Sequence, residues 1–161
     1  MRRLRWAIMV LGTLVVALVA ASTSAGAGAA GAGARAIPSS ARVLEVTVRR
    51  PHRPPVSEVS VTRPAQVRHI ASLIDGLKTQ QAGALDCTGR ADDPVVTFTF
   101  RAAVGGRVLA RAIQIVDRGV GRPACEPMTL TVRGRPQTPL LGGAGVVRDA
   151  QRLLGIRVPR G

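Results

Sequence analysis

Phe98 and Phe100 are the only phenylalanines in the chain, and they flank a single threonine in VVTFTFR, residues 95–101. There is no tyrosine, and the one tryptophan is Trp6, near the N-terminus. The two rings are therefore the largest apolar groups available to a folded core. Alternation places Val96, Phe98 and Phe100 on one side of a strand and Thr97, Thr99 and Arg101 on the other. The rest of the interior must come from valine, leucine, isoleucine and alanine.

The same period of two recurs elsewhere. In ARVLEVTVRR (41–50), Leu44, Val46 and Val48 face one way, and Glu45, Thr47 and Arg49 the other. PHRPP (51–55) ends that strand, because proline cannot donate to a ladder. VSEVSVT (56–62) reads as a second, shorter strand. RVLARAIQIV (107–116) is a long strand whose alternation slips, which predicts a bulge. MTLTVRG (128–134) alternates with Met128, Leu130 and Val132 inward. AAVGG (102–106) is a turn signal. DRGVGRPACEP (117–127) and RPQTPLLGG (135–143) read as connections.

Two segments follow helical spacing. In RPAQVRHIASLIDGL, Thr62 or Arg63 precedes the first turn and Pro64 lies inside it, where its missing N–H costs little. Val67, Ile70, Ala71, Ile74 and Leu77 make one apolar face. A second helix is predicted from about Ala144 to Leu154, with Val147, Ala150 and Leu154 buried and Gly155 as a left-handed cap. The expected fold is α+β: a small antiparallel sheet of about five strands, in the order β-β-α-β-β-β-α, with two helices packed on one face.

The N-terminus has its own pattern. MRRLRW is basic, AIMVLGTLVVALVAAS is apolar and uncharged, and STSAGAGAAGAGARA is built almost wholly of small residues. That succession is a secretory signal peptide of the general export type, with small-x-small cuts after Ala25, Ala27, Ala29, Ala32, Ala34 and Ala36. An uncleaved membrane anchor is the alternative, although the strongly apolar run stops short of the roughly 20 residues a span needs. Residues 1–36 are thus assigned to the signal and residues 37–161 to one exported domain.

The chain carries 23 basic and 9 acidic residues. Without residues 1–36 it keeps 19 and 9, a net charge of +10. Such a charge favours anionic cell-wall polymers, acidic lipids or acidic proteins by long-range attraction. Arg, Ala, Gly, Pro and Val all have GC-rich codons, so genome composition accounts for the balance equally well. No nucleic acid is expected in an exported compartment, and membrane contact is expected only if the signal stays uncleaved.

Cys87 and Cys125 are the only cysteines. Each precedes a strand, and if the last three strands form a meander, both lie at the same end of the sheet. Two cysteines in an exported chain pair by default. The bridge would contribute roughly 4 kcal/mol in the chain-entropy model. Redox chemistry is disfavoured, because Asp86 and Glu126 would raise the thiol pKa values. Zinc would need two further ligands, and His52 and His69 are the only histidines. Asp86, Asp92 and Asp93 lack the spacing of a calcium loop and read as turn formers. No cofactor is expected.

An active site is not visible. There is no G-x-S-x-G, and Ser39, Ser40, Ser57, Ser60 and Ser72 carry no motif around them. Asp92 and Asp93 are adjacent and would point apart, unlike a glycosidase pair. GGAGVVR (142–148) suggests a phosphate loop at a helix start, but it lacks the flanking strand and the lysine.

VTRPAQVRHIASLIDGL, the two cysteines, VTFTFR, GRVLARA and the terminal GGAGVVRDAQRLLG, which together cover most of residues 56–155, resemble small secreted proteins of actinobacteria with no assigned activity. The resemblance implies an envelope location and no reaction. In size and setting the chain is also similar to the secreted Streptomyces subtilisin inhibitors, but those carry two disulfides where this chain allows one. The expected function is a small, exported, non-enzymatic binding module of the cell envelope or extracellular space. A secreted protein-directed inhibitor and a small hydrolase with a dispersed site are the alternatives. The meander also puts Arg101, Arg107, Arg133 and Arg135 at the end opposite the cysteines. Four guanidiniums converging there without an acid are the expected anion-binding surface.

Overall fold

The computed structural model describes residues 36–80, 92–116 and 127–159. Its elements are β1 (Val43–Arg49), β2 (Pro55–Val61), α1 (Pro64–Asp75), β3 (Lys78–Thr79), β4 (Val95–Arg101), β5 (Val108–Ile115), β6 (Thr129–Val132), β7 (Arg135–Pro136), β8 (Leu140–Leu141) and α2 (Gly143–Leu154). The main sheet has six strands in the order β2-β1-β4-β5-β6-β7, and every pairing is antiparallel. The fold is α+β, with more strands than the sequence patterns indicate.

The alternation read from the sequence sets the register. Val46 pairs with Phe98, and Phe98 with Ala112. One row further along, Leu44 pairs with Phe100, and Phe100 with Ala110. Both rings are fully buried, and the alanines opposite them on β5 leave them room. The predicted bulge is in β5: Phe100 pairs with Ala110 and Arg101 with Val108, so Leu109 is the extra residue. Leu109 and Ala110 are buried side by side as a result.

The helices cover one face of this sheet. α1 buries Val67, Ile70 and Ile74 and meets β1, while α2 buries Gly143, Val146, Val147 and Ala150 and meets β5. The two helices also touch each other. Thr47, Thr97, Thr129 and Thr131 alternate onto the opposite, more accessible face, as an antiparallel sheet with one solvated side allows.

RPQTPLLGG is more than a connection. β7 pairs with the end of β6, Gln137 N–H donates to Leu130 O, and Leu140 bridges to Met128. The segment is an edge strand interrupted at Thr138-Pro139. β8 pairs in turn with β3, directly after α1. Among the described residues no helix is long and apolar enough to cross a membrane.

Candidate functional site

β4, β5 and β6 do form a meander, so the end of β4, the start of β5 and the end of β6 share one edge of the sheet. Arg101 closes β4, Arg107 stands just before β5, and Arg133 and Arg135 bracket the turn from β6 to β7. Arg107, Arg133 and Arg135 are exposed.

Arg101 departs from the expectation of an acid-free cluster. Its Nε donates to Glu45 Oε2 at 2.7 Å, and its Nη1 donates to Gly106 O at 2.9 Å. β1 lies beside β4, which brings Glu45 onto the same outer face as Arg101. Most of the charge of Arg101 is therefore met inside the fold, and the residue ties β1 to the β4–β5 turn.

Arg133 and Arg135 share a hollow of about 620 Å³. Its other described walls are Ala36, Ile37, Pro38, Ser39, Val132 and Gln137, with no acid among them. The turn that presents the arginines is tight. Arg133 has φ 50° and Gly134 φ 78°, and Val132 pairs with Arg135 across them. Two successive left-handed residues make the mirror-image turn that matches the twist of a hairpin. Gln137 Nε2 donates to Arg135 O at 2.9 Å and braces the far side. Arg107 does not line this hollow.

A second basic group was missed by sequence reasoning. Arg49, Arg50, Pro51, His52, Arg53 and Val95 surround a hollow of about 400 Å³ at the β1–β2 hairpin, the opposite end of the sheet. His52 has φ 57°. The cluster RRPHR was legible as charge, but the prolines made it read only as a strand terminator.

Two glycines of GGAGVVR answer local geometry, one of backbone conformation and one of packing. Gly142 has φ 93°, a left-handed conformation that glycine takes without strain. Gly143 lies against Gln114 and Met128. Of the first turn of α2, Gly143 is buried against the sheet while Gly142 and Ala144 are exposed. Among the described residues no three His, Cys, Asp or Glu side chains come together. Cys87, Cys125 and Asp86 lie outside the described residues. No family model, curated protein or solved structure matches the chain.

Proposed function

We propose that this protein is an exported, non-enzymatic binding module that holds a phosphate-bearing polymer of the cell envelope at the β6–β7 turn. The observation that carries this reading is the pair Arg133 and Arg135. Both are exposed, both line one hollow, and no acid stands among the described walls. Guanidinium groups match phosphate oxygens with two parallel donors, which a diffuse surface charge does not. The net charge of the chain adds long-range attraction to that local fit.

The test is retention on an immobilised teichoic-acid-type polymer at low salt. Arg133→Gln with Arg135→Gln should weaken retention strongly, and the salt dependence of what remains should flatten by about one unit per arginine removed. Arg68 and Arg148 are also exposed but lie on the helices. Arg68→Gln with Arg148→Gln removes the same charge and should leave most of the retention. Equal losses in the two variants would reduce the interaction to net charge and sink the site. Retention of acidic proteins in place of the polymer would redirect it to a protein partner.

A further inference from the structure

Two non-glycine residues among those described have a positive φ, and each lines a basic hollow. Arg133, at φ 50°, stands at one end of the sheet, and His52, at φ 57°, at the other. A left-handed backbone is uncommon outside glycine, and residues held in one collect where ligands are gripped. The turn around His52 is built for it. Arg53 N–H donates to Arg50 O at 3.2 Å, Pro51 takes the first central position, and His52 takes the second. Proline followed by a left-handed residue is the pattern of a type II turn, where glycine or asparagine is the usual second residue. Here that position carries an imidazole instead. Just before the turn the register slips: Val48 pairs with Ser57 and Arg49 with Pro55, so Val56 is the extra residue of a bulge. Bulges re-aim the side chains beside them.

The arginines of this hairpin are held by nothing else. Arg49 and Arg53 are exposed, and no ion pair among the described residues involves Arg49, Arg50 or Arg53. Asp92 and Asp93 precede β4 at this end of the sheet, but neither is among the described walls of the hollow. Arg50 is half-buried, and its Nε is shut off from solvent with no hydrogen-bond partner among the described residues. A buried donor left unpaired is destabilising. An oxyanion drawn into the hollow gives that edge of the guanidinium two oxygens to bind, once Arg50 shifts to meet it. We propose that the β1–β2 hairpin is a second anion-binding site, and that it takes phosphate groups of the same polymer as the β6–β7 turn. The choice of ligand rests on the polymer reading, whereas the site rests on the hairpin itself. Arg49, Arg50 and Arg53 supply the charge, and His52 a further nitrogen donor. β4 runs from Val95, beside Arg49, to Arg101 at the far end, which is roughly 20 Å at the rise of a strand. A polymer that spans this length engages both ends, and its second contact is then intramolecular. A ligand with one phosphate engages one end at a time.

The test compares poly(glycerol phosphate) with glycerol phosphate, each binding the folded protein at low salt. The polymer should bind about a hundredfold or more tightly per phosphate. Arg49→Gln with Arg53→Gln should remove most of that gain, and so should Arg133→Gln with Arg135→Gln. Arg68→Gln with Arg148→Gln removes the same charge and should keep it. Arg50→Lys keeps the charge and loses the planar fork, so it too should weaken polymer binding. Arg49 and Arg53 are exposed, so their double variant should melt near the wild type. Undiminished polymer binding in both hairpin variants overturns the second site and leaves the β6–β7 turn standing. Polymer binding lost in the hairpin variants but intact in Arg133→Gln with Arg135→Gln leaves the hairpin as the site and overturns the β6–β7 reading. Equal losses in all three double variants reduce the binding to net charge and overturn both.

Discussion

Gly143 packs on Gln114 so closely that a Cβ at position 143 would overlap the Gln114 amide oxygen and lie 2.9 Å from Met128 Cβ. Gln114 is buried on the inner face of β5, and its Nε2 donates to Ile115 O. The first residue of α2 thus fixes how near the helix comes to the sheet. Gly143→Ala should destabilise by about 1–3 kcal/mol, the usual cost of overpacking. Gly145, in the same turn, has nothing within 4 Å of where its Cβ would stand. Gly145→Ala should stabilise by about 0.5–1 kcal/mol, because it removes freedom from the unfolded chain. Urea unfolding of the two variants checks the contrast, and equal effects would contradict the close approach.

The Arg101–Glu45 pair gives an asymmetric prediction. Both side chains are partly exposed, so the pair itself should contribute no more than about 1 kcal/mol. Arg101 also holds Gly106 O in the β4–β5 turn, which Glu45 does not. Arg101→Gln should therefore cost more stability than Glu45→Gln in thermal melts. Neither should weaken polymer retention as Arg133→Gln does. A retention loss with Arg101→Gln equal to that with Arg133→Gln would restore Arg101 to the binding surface.

The long strands and both helices were legible because each carries its period over seven or more residues. β3, β7 and β8 were not, since two residues cannot show a period. Pro136 and Pro139 also argued against a strand in that segment. What builds those strands is tertiary: Met128 N–H donates to Leu140 O and Leu140 N–H to Met128 O, while Gln80 N–H donates to Pro139 O. The arginine edge was legible only in part. The meander follows from strands that are neighbours in sequence pairing in the sheet, but the placement of β1 beside β4 depends on a connection through α1. That placement is what brings Glu45 to Arg101. The contact of Ile37 with Asp75, 38 residues apart, leaves no local pattern at all.

Phe98 is the centre of the core. It is fully buried between Val46 and Ala112 in a sheet with few large side chains. Phe98→Ala should cost about 3–5 kcal/mol. For a small domain that is much of the total stability, so the variant should be largely unfolded at 37 °C by circular dichroism. Phe98→Leu keeps most of the volume and should remain folded at reduced melting temperature.

The cysteine bridge is an expectation, and Cys87 and Cys125 lie outside the described residues. β4 and β6 run in the same direction with β5 between them, so the chain enters both from one end. Protein folded under oxidising conditions should weigh two hydrogens less than its reduced form. Cys87→Ser should lower the melting temperature clearly. Two reactive thiols under oxidising conditions would refute the bridge.

Arg133 occupies a conformation that suits asparagine or glycine better. With φ 50° it holds the first central position of a two-residue turn, and Gly134 the second. A left-handed backbone costs an ordinary L-residue roughly 1–2 kcal/mol. Asparagine pays less, and Asn-Gly is the preferred sequence for this turn. Arg133→Asn should therefore stabilise the domain by about 0.5–1 kcal/mol. The same substitution removes one of the two guanidiniums over the hollow and should weaken polymer retention. A gain in stability with a loss of retention is what strain retained for binding predicts. A gain in both would show that arginine at 133 serves no contact. A loss of stability would mean that its side chain packs on the hollow, and Arg133→Lys, which preserves charge and stem but not the planar fork, would then separate packing from bidentate recognition.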